Sequence, residues 1–235
     1  MTENYLIETK NLCFSYEKNS PMILKDINIR IPKGIYLSIV GENGSCKTTF
    51  IKLLLNLLKP VSGSINIHTN NVSYVPQRLD GFNSSFPISV YEILKCHCKA
   101  LNIDVNKEIN SALEKVNMLD HKNSLIGNLS GGQQQRVFIA RALMGNTDLI
   151  ILDEPSTGVD YKNQVEIYSL LSDINKKFST TIISVEHNLS MALKYSTHIL
   201  KFDEGKLSLN SIESFKDYIK EGEMKWFKLL LICLN

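Results

Sequence analysis

The chain has 235 residues, of which 43% are hydrophobic and 21% charged, and its formal net charge is +2. A chain of this size and composition can bury a substantial core, so we expect one large α/β domain rather than a disordered protein. The Lys and Arg residues are scattered and do not form the basic stripe that neutralises a phosphate backbone, which argues against nucleic acid as a partner.

Cysteine usage and hydropathy indicate the compartment. Five cysteines are spread widely over a chain too large to depend on disulfides, which favours a reducing environment. The N-terminus lacks the pattern of a secretory signal, and no segment reaches the roughly 18 apolar residues that span a bilayer. We therefore expect a soluble chain. The apolar stretch 226–234 is interpreted as a terminal segment packed on the domain, with docking to a partner as the alternative.

The N-terminal region predicts an antiparallel β-subdomain, because residues 5–31 alternate apolar and polar side chains around turn-forming residues. Residues 36–40 form an apolar run typical of a short strand. A glycine-containing loop follows, and apolar density predicts a helix over 49–58.

Beyond this helix the pattern changes twice. A strand pair is predicted around 65–67 and 72–75, and helical periodicity then extends from 90 to about 123. The later predicted elements are a helix from Leu129 through Met144, a strand over 149–152, a helix near 164–174 and a strand over 180–185. Strands that alternate with helices indicate a largely parallel sheet.

A phosphate-binding loop is predicted between the strand 36–40 and the helix after it. The residues with P-loop spacing and context are Gly41, Glu42, Asn43, Gly44, Ser45, Cys46, Lys47 and Thr48, followed by Thr49. Backbone N–H groups would cradle the phosphates of a nucleotide, Lys47 would reach the β- and γ-phosphates, and the Thr48 hydroxyl would hold Mg²⁺. By itself, a P-loop leaves GTPases, kinases and motor proteins open.

Cys46 stands where the strict motif has glycine. If the backbone there requires a positive φ, cysteine costs on the order of 1 kcal/mol relative to glycine, whereas a helical conformation costs little. The alternatives are a tolerated small residue, a weakened site or a redox-sensitive thiol. The position beside Lys47 at a helix N-terminus predicts a lowered thiol pKa. We also expect bound ATP to protect this thiol from alkylating reagents.

Two later motifs narrow the family. The residues Leu129, Ser130, Gly131, Gly132 and Gln133 stand shortly before the apolar run 149–152, which ends in Asp153 and Glu154. This order and proximity resemble the signature and Walker B motifs of ABC transporter ATPases, over about residues 5–207. The resemblance implies a single nucleotide-binding domain over 1–235, with an α/β P-loop NTPase core and an N-terminal antiparallel β-subdomain. A helical signature subdomain at about 86–140 and a C-terminal tail at about 208–235 would complete it.

The resemblance also implies roles for individual residues. Tyr16 matches the aromatic residue that stacks on adenine, Asp160 the D-loop aspartate, and His187 the switch histidine that contacts the γ-phosphate. Asp153 would complete the Mg²⁺ shell with Thr48 and the Q-loop residue Gln77, while Glu154 would polarise the attacking water. The implied catalytic residues are Glu154, His187 and Gln77, and the implied cofactors are ATP and Mg²⁺.

Partners follow from the same resemblance. A Ser-Gly-Gly turn before a helix exposes N–H groups to an anion, and in the family this anion is the γ-phosphate on the opposing subunit. The resemblance implies a second copy of the chain in a head-to-tail ATP sandwich dimer. It also implies an integral membrane permease that contacts the helical signature subdomain. The chain would then lie peripherally on the cytoplasmic face of the cell membrane.

The cargo is indicated by a weaker resemblance. Residues 74–77, 86–92 and 133–136 resemble the subgroup that serves uptake of zinc, manganese or iron, which implies an extracytoplasmic metal-binding protein in the system. The alternatives are another cargo, a soluble ABC protein, or a nucleotide-sensing protein whose hydrolysis is weakened by Cys46.

Overall fold

A computed structural model describes residues 5–17, 20–77, 87–203 and 206–220. Its strands are β1 (Tyr5–Phe14), β2 (Leu24–Pro32), β3 (Tyr36–Val40), β4 (Ser62–Ile67), β5 (Val72–Val75), β6 (Leu149–Asp153), β7 (Thr181–Val185), β8 (His198–Asp203) and β9 (Lys206–Ser211). Its α-helices are α1 (Lys47–Leu54), α2 (Val90–Leu101), α3 (Val105–Lys115), α4 (Gly131–Ala142), α5 (Tyr161–Phe178), α6 (Leu189–Tyr195) and α7 (Ile212–Lys220). The apolar stretch 226–234 and Phe86 lie outside the described residues.

The chain divides into two compact units, one comprising residues 1–70 with 181–235 and the other residues 71–180. In the first unit β1 pairs antiparallel with β2 and with β4, which confirms the predicted N-terminal β-subdomain. In the same unit β3 runs parallel to β7 and β8, and β9 closes this set antiparallel to β8.

Strand β3 is buried along its whole length, as expected of a parallel strand covered on both faces. A cluster of buried side chains packs α6 and α7 beside its C-terminal end: Val40, Leu189, Ala192, Leu193, Ile199, Ile212, Phe215 and Ile219. This packing fixes the strand end from which the phosphate-binding loop departs.

The second unit consists of β5 and β6, which pair in parallel, and the helices α2 to α5. Apolar residues at helical spacing within the stretch 90–123 are fully or nearly fully buried: Val90, Ile93, Leu94, Ile109, Leu113 and Val116. Throughout the described ranges, no helix has both the length and the apolar character needed to cross a bilayer.

Two local predictions were wrong. The helix predicted over 49–58 is α1, which begins at Lys47 and ends at Leu54, because Asn56 takes a left-handed conformation with φ 56°. The predicted strand pair also does not form. Strand β4 pairs with β1 whereas β5 pairs with β6, since local alternation does not specify a strand's partner.

Candidate nucleotide-binding site

The loop after β3 is shaped by two residues with special backbone requirements. A Cβ on Gly41 would lie 2.8 Å from the Phe202 carbonyl oxygen and from Ser45 Oγ, so only glycine fits there. Gly44 has φ +82°, a conformation that glycine adopts without steric cost. The loop therefore presents bare backbone at the position predicted to hold phosphate.

Lys47 is anchored inside this loop. Its side chain is buried, and Nζ donates hydrogen bonds of 2.8 Å to the carbonyl oxygens of Gly41 and Glu42. The structure thus places the ammonium group of Lys47 against the backbone of the predicted phosphate-binding loop. Glu42, Asn43 and Thr48 are exposed beside it.

The start of α1 is suited to an anion. No side chain among the described residues caps this helix, and its first turn contains no acidic residue. The hydroxyl of Ser45 is buried and finds no hydrogen-bond partner within the described part of the chain. Uncapped N–H groups at a helix N-terminus and a buried hydroxyl can donate hydrogen bonds to the oxygens of a phosphate.

The structure decides between the two backbone conformations considered for Cys46. This residue is the N-cap of α1 and has φ 73° and ψ 18°, so its backbone occupies the left-handed region that favours glycine. The predicted lowering of its thiol pKa was wrong. Burial raises the pKa of Cys46 above its ordinary value, and the neighbouring charge of Lys47 opposes this increase without overcoming it.

Two more predicted residues belong to the same unit as the loop. The hydroxyl of Tyr16 lies 2.8 Å from the hydroxyl of Thr49 in α1. The residue is 62% exposed, and its ring contacts Phe14 edge to face. An exposed aromatic face attached to α1 could stack on a base. His187 is exposed and lies two residues after the end of β7, just before the N-cap of α6.

In the second unit, two carboxylate residues lie at the C-terminal end of β6, Asp153 within the strand and Glu154 directly after it. Asp153 is the last residue of the strand and is 4% exposed. Burial first, and the negative charge of Asp153 second, raise the pKa of Tyr74, which places that charge near the phenol. Glu154 leaves the strand with φ 50°, an uncommon conformation for a residue with a Cβ.

The side chain of Glu154 is held by two donors. The Gln77 amide and the Thr157 hydroxyl both donate to Oε2, the latter at 2.9 Å. The structure therefore brings together two of the three residues predicted to be catalytic. The sequence did not reveal Thr157, although its position three residues after Glu154 in a turn could have suggested a contact.

The predicted signature turn caps its own helix. Ser130 Oγ accepts a hydrogen bond from the N–H of Gln133 at 3.3 Å, and Gln133 Oε1 accepts one from the N–H of Ser130 at 2.9 Å. The Gln133 amide nitrogen also lies 3.2 Å from Nε2 of His121. These contacts form a capping box that fixes the start of α4.

The first turn of α4, which follows the signature residue Ser130, lies close to the first turn of α5, which follows Asp160. Asp160 caps α5 and accepts hydrogen bonds from the side chain and backbone of Asn163, which lower the pKa of the Asp160 carboxyl. A Cβ on Gly132 would approach the Cβ of Asn163 to 2.9 Å. Glycine at 132 therefore permits α4 to lie against the first turn of α5. Gly131 remains exposed at the helix start.

Comparisons with known proteins agree with this arrangement of motifs. A family model described as ABC transporter matches residues 24–157, more than half of the chain. The chain belongs to the ABC transporter family. Accordingly, it is an ATPase with an α/β P-loop NTPase core, and the predicted family is confirmed.

Relatives of this ABC ATPase carry names that refer to metals. A probable metal transport system ATP-binding protein of Treponema pallidum is 43% identical over 205 residues, which are 87% of this chain and 86% of the relative. The zinc uptake system ATP-binding protein ZurA of Listeria monocytogenes is 35% identical over 236 residues, covering 94% and 91%. The solved structure of cbiO1 from Clostridium perfringens, part of the ABC transporter complex cbiONQ, is 25% identical with a TM-score of 0.82 and covers 99% of this chain and all of that one.

Proposed function

We propose that this ABC ATPase hydrolyses MgATP to power the import of a divalent metal ion, zinc or manganese. The observation that carries the chemical part is the Glu154 carboxylate, oriented by Gln77 and Thr157 beside the strand that ends in Asp153. The names of the Treponema and Listeria relatives support the metal as cargo.

The residues of the phosphate-binding loop would hold the nucleotide. Lys47 can exchange its two carbonyl partners for phosphate oxygens, and the N–H groups of the first α1 turn supply further donors. Tyr16 would stack on the adenine, with the glycines and Ser45 giving close access to the phosphates.

Oxygen donors are available for Mg²⁺. The Asp153 carboxylate, the exposed Thr48 hydroxyl and the amide oxygen of Gln77 are the ligand types that this ion prefers. When bound, Mg²⁺ would neutralise charge on the β- and γ-phosphates. Glu154 would accept a proton from the attacking water, and His187 would contact the γ-phosphate.

A second copy of the chain would complete each site. The signature residues Ser130 to Gln133 and the D-loop Asp160 would face the ATP bound to the opposing copy, in a head-to-tail dimer. A membrane permease would receive the resulting motion on the cytoplasmic face of the membrane, and an extracytoplasmic metal-binding protein would deliver the cargo. Different affinities of the closed dimer for ATP and for its products would drive the cycle.

One observation favours a second candidate function. Cys46 occupies a left-handed position that costs a non-glycine residue on the order of 1 kcal/mol. A phosphate-binding loop destabilised in this way could bind nucleotide but turn it over slowly, as a nucleotide sensor would.

The test combines turnover with cellular metal content. Cells that carry the chain intact or as Glu154→Gln are grown under metal limitation, and zinc, manganese and iron are measured. We expect one metal to fall selectively in the variant, with ATP hydrolysis lost in the purified protein. Unchanged metals with active purified enzyme would overturn the metal cargo. Binding of ATP without hydrolysis by the unsubstituted protein would favour the sensor.

A further inference from the structure

The turns that precede α4 and α5 share one construction. In each helix the fourth residue is a glutamine whose side-chain amide donates to the backbone carbonyls five and eight residues earlier. Gln134 donates to Leu129 at 3.0 Å and to Ile126 at 3.2 Å. Gln164 makes the corresponding pair of hydrogen bonds in the second turn, to Val159 at 2.8 Å and to Ser156 at 3.3 Å.

The turn held by Gln164 also carries the contact to Glu154. Between the two carbonyls that Gln164 binds lies Thr157, whose hydroxyl donates to Glu154 Oε2 at 2.9 Å and whose N–H donates to the Glu154 carbonyl at 3.2 Å. The next residue after Val159 is Asp160. One amide group on α5 therefore fixes the backbone on both sides of the residue that orients the Glu154 carboxylate.

The same turn has one further backbone hydrogen bond, from the N–H of Val159 to the Ser156 carbonyl at 3.2 Å. Gly158 has φ +77°, and a Cβ built there would meet nothing within 4 Å, so this part of the turn is open. Ser156 is anchored by its hydroxyl, which lies 2.8 Å from the hydroxyl of the buried Tyr168 on α5. At the far end of the turn, the hydrogen bond from Gln164 to Val159 is the side-chain contact that secures the backbone ahead of Asp160.

We propose that Gln164 is a positioning residue for ATP hydrolysis, acting through Thr157 on the orientation of Glu154; this rests on the proposed role of Glu154. Gln164 itself touches no reacting group. Without its amide, the Val159 carbonyl would lose this side-chain donor and the Ser156 carbonyl would keep the N–H of Val159. The turn would then sample several conformations, moving Thr157 away from the carboxylate. Displacements of about 1 Å are enough to slow a reaction strongly when they misplace a catalytic group.

The experiment measures kcat and KM for ATP in the purified full chain carrying Gln164→Ala, Thr157→Ala or both. We expect Gln164→Ala to lower kcat on the order of tenfold while KM for ATP changes by less than about twofold, because the phosphate-binding loop is untouched. In the Thr157→Ala background, Gln164→Ala should have little further effect, since both changes disable the same contact.

Two controls separate positioning from a general loss of structure. Lys162→Ala changes an exposed side chain in the same turn of α5 and should leave kcat unchanged. Gln134→Ala removes the matching glutamine of α4, and its effect should add to that of Thr157→Ala without coupling. Gln164→Met keeps a similar side-chain length and removes the donor without adding a charge, so it gives the same test if the alanine variant does not fold.

The outcomes distinguish this inference from the proposed function. A kcat of Gln164→Ala equal to that of the unsubstituted protein, or full additivity with Thr157→Ala, would overturn the positioning role alone. Absence of ATP turnover in the unsubstituted protein would overturn the proposed function and the positioning role together.

Discussion

The turns that begin α1 and α4 solve the same problem in opposite ways. Both lead into a helix whose first N–H groups lack partners within the helix. At α4 the protein supplies the partners itself, through the reciprocal hydrogen bonds of Ser130 and Gln133. At α1, Cys46 provides no side-chain hydrogen bond to the helix, and no other side chain of the described residues takes its place. If the proposed function holds, α1 would be completed by the bound nucleotide, whereas α4 is already capped by its own side chains.

The largest effect that sharpens this comparison is expected at Lys47. Lys47→Ala should weaken ATP binding about 100-fold, because charge-assisted hydrogen bonds to phosphate contribute on the order of 3 kcal/mol. Isothermal titration calorimetry with ATP measures the affinity of each variant. Lys52→Ala on the exposed face of the same helix should bind ATP normally. Equal affinities for the two variants would contradict the assignment of Lys47.

A smaller effect, on the free energy of unfolding, is expected when the N-cap residue of α4 or of α1 is changed to alanine in separate variants. Ser130→Ala should lower the free energy of unfolding by about 1 kcal/mol, because a capping hydrogen bond is lost. Cys46→Ala should leave it nearly unchanged, since no capping bond is present there. Urea denaturation without nucleotide measures both values. Equal losses at the two positions would show that the turns are stabilised alike.

Replacing Cys46 by glycine tests the backbone of the first turn. The φ of 73° no longer carries a steric cost in Cys46→Gly, and we expect the free energy of unfolding to rise by about 0.5 kcal/mol, because greater chain entropy in the unfolded state offsets part of the gain. Urea denaturation again provides the measurement, with Cys96→Gly in the interior of α2 as the opposing control, which should be destabilised. A loss of stability in Cys46→Gly would mean that the thiol makes compensating contacts.

The smallest effect concerns reactivity of the same thiol. Because burial raises the pKa of Cys46, less thiolate is present at neutral pH, so alkylation should be a few-fold slower than at the exposed Cys96 and should accelerate as pH rises. Rates are measured by mass spectrometry between neutral and alkaline pH, with and without ATP. Slower labelling with ATP is expected, whereas faster reaction of Cys46 than of Cys96 at neutral pH would contradict the raised pKa.

Elements whose patterns are local were predicted well. Strand β3 was anticipated at the bounds observed, and the run ending in Asp153 emerged as a buried strand, because continuous apolar residues need only a sheet to cover them. The end of α1 was missed because apolar residues continue past the left-handed turn at Asn56, so apolar density does not mark the end of the helix. Likewise, the partner of β4 depends on contacts distant in sequence.

Within the site, residue identities were easier to anticipate than their surroundings. Motif spacing suggested Lys47, and the family resemblance suggested Glu154. The raised pKa of the Cys46 thiol depends on how deeply the folded loop buries it, and sequence alone suggested the opposite direction. The contacts of Gln164 were not anticipated either. Its partners are backbone carbonyls, whose positions no side-chain pattern encodes.

The left-handed backbone at Glu154 places turnover and folding in conflict at one position. Glycine would adopt φ 50° with less steric cost than glutamate, so the folded state would gain from the very replacement that removes the proposed general base. Selection for thermal stability alone would therefore favour variants that lose Glu154, whereas selection for ATP turnover would retain it.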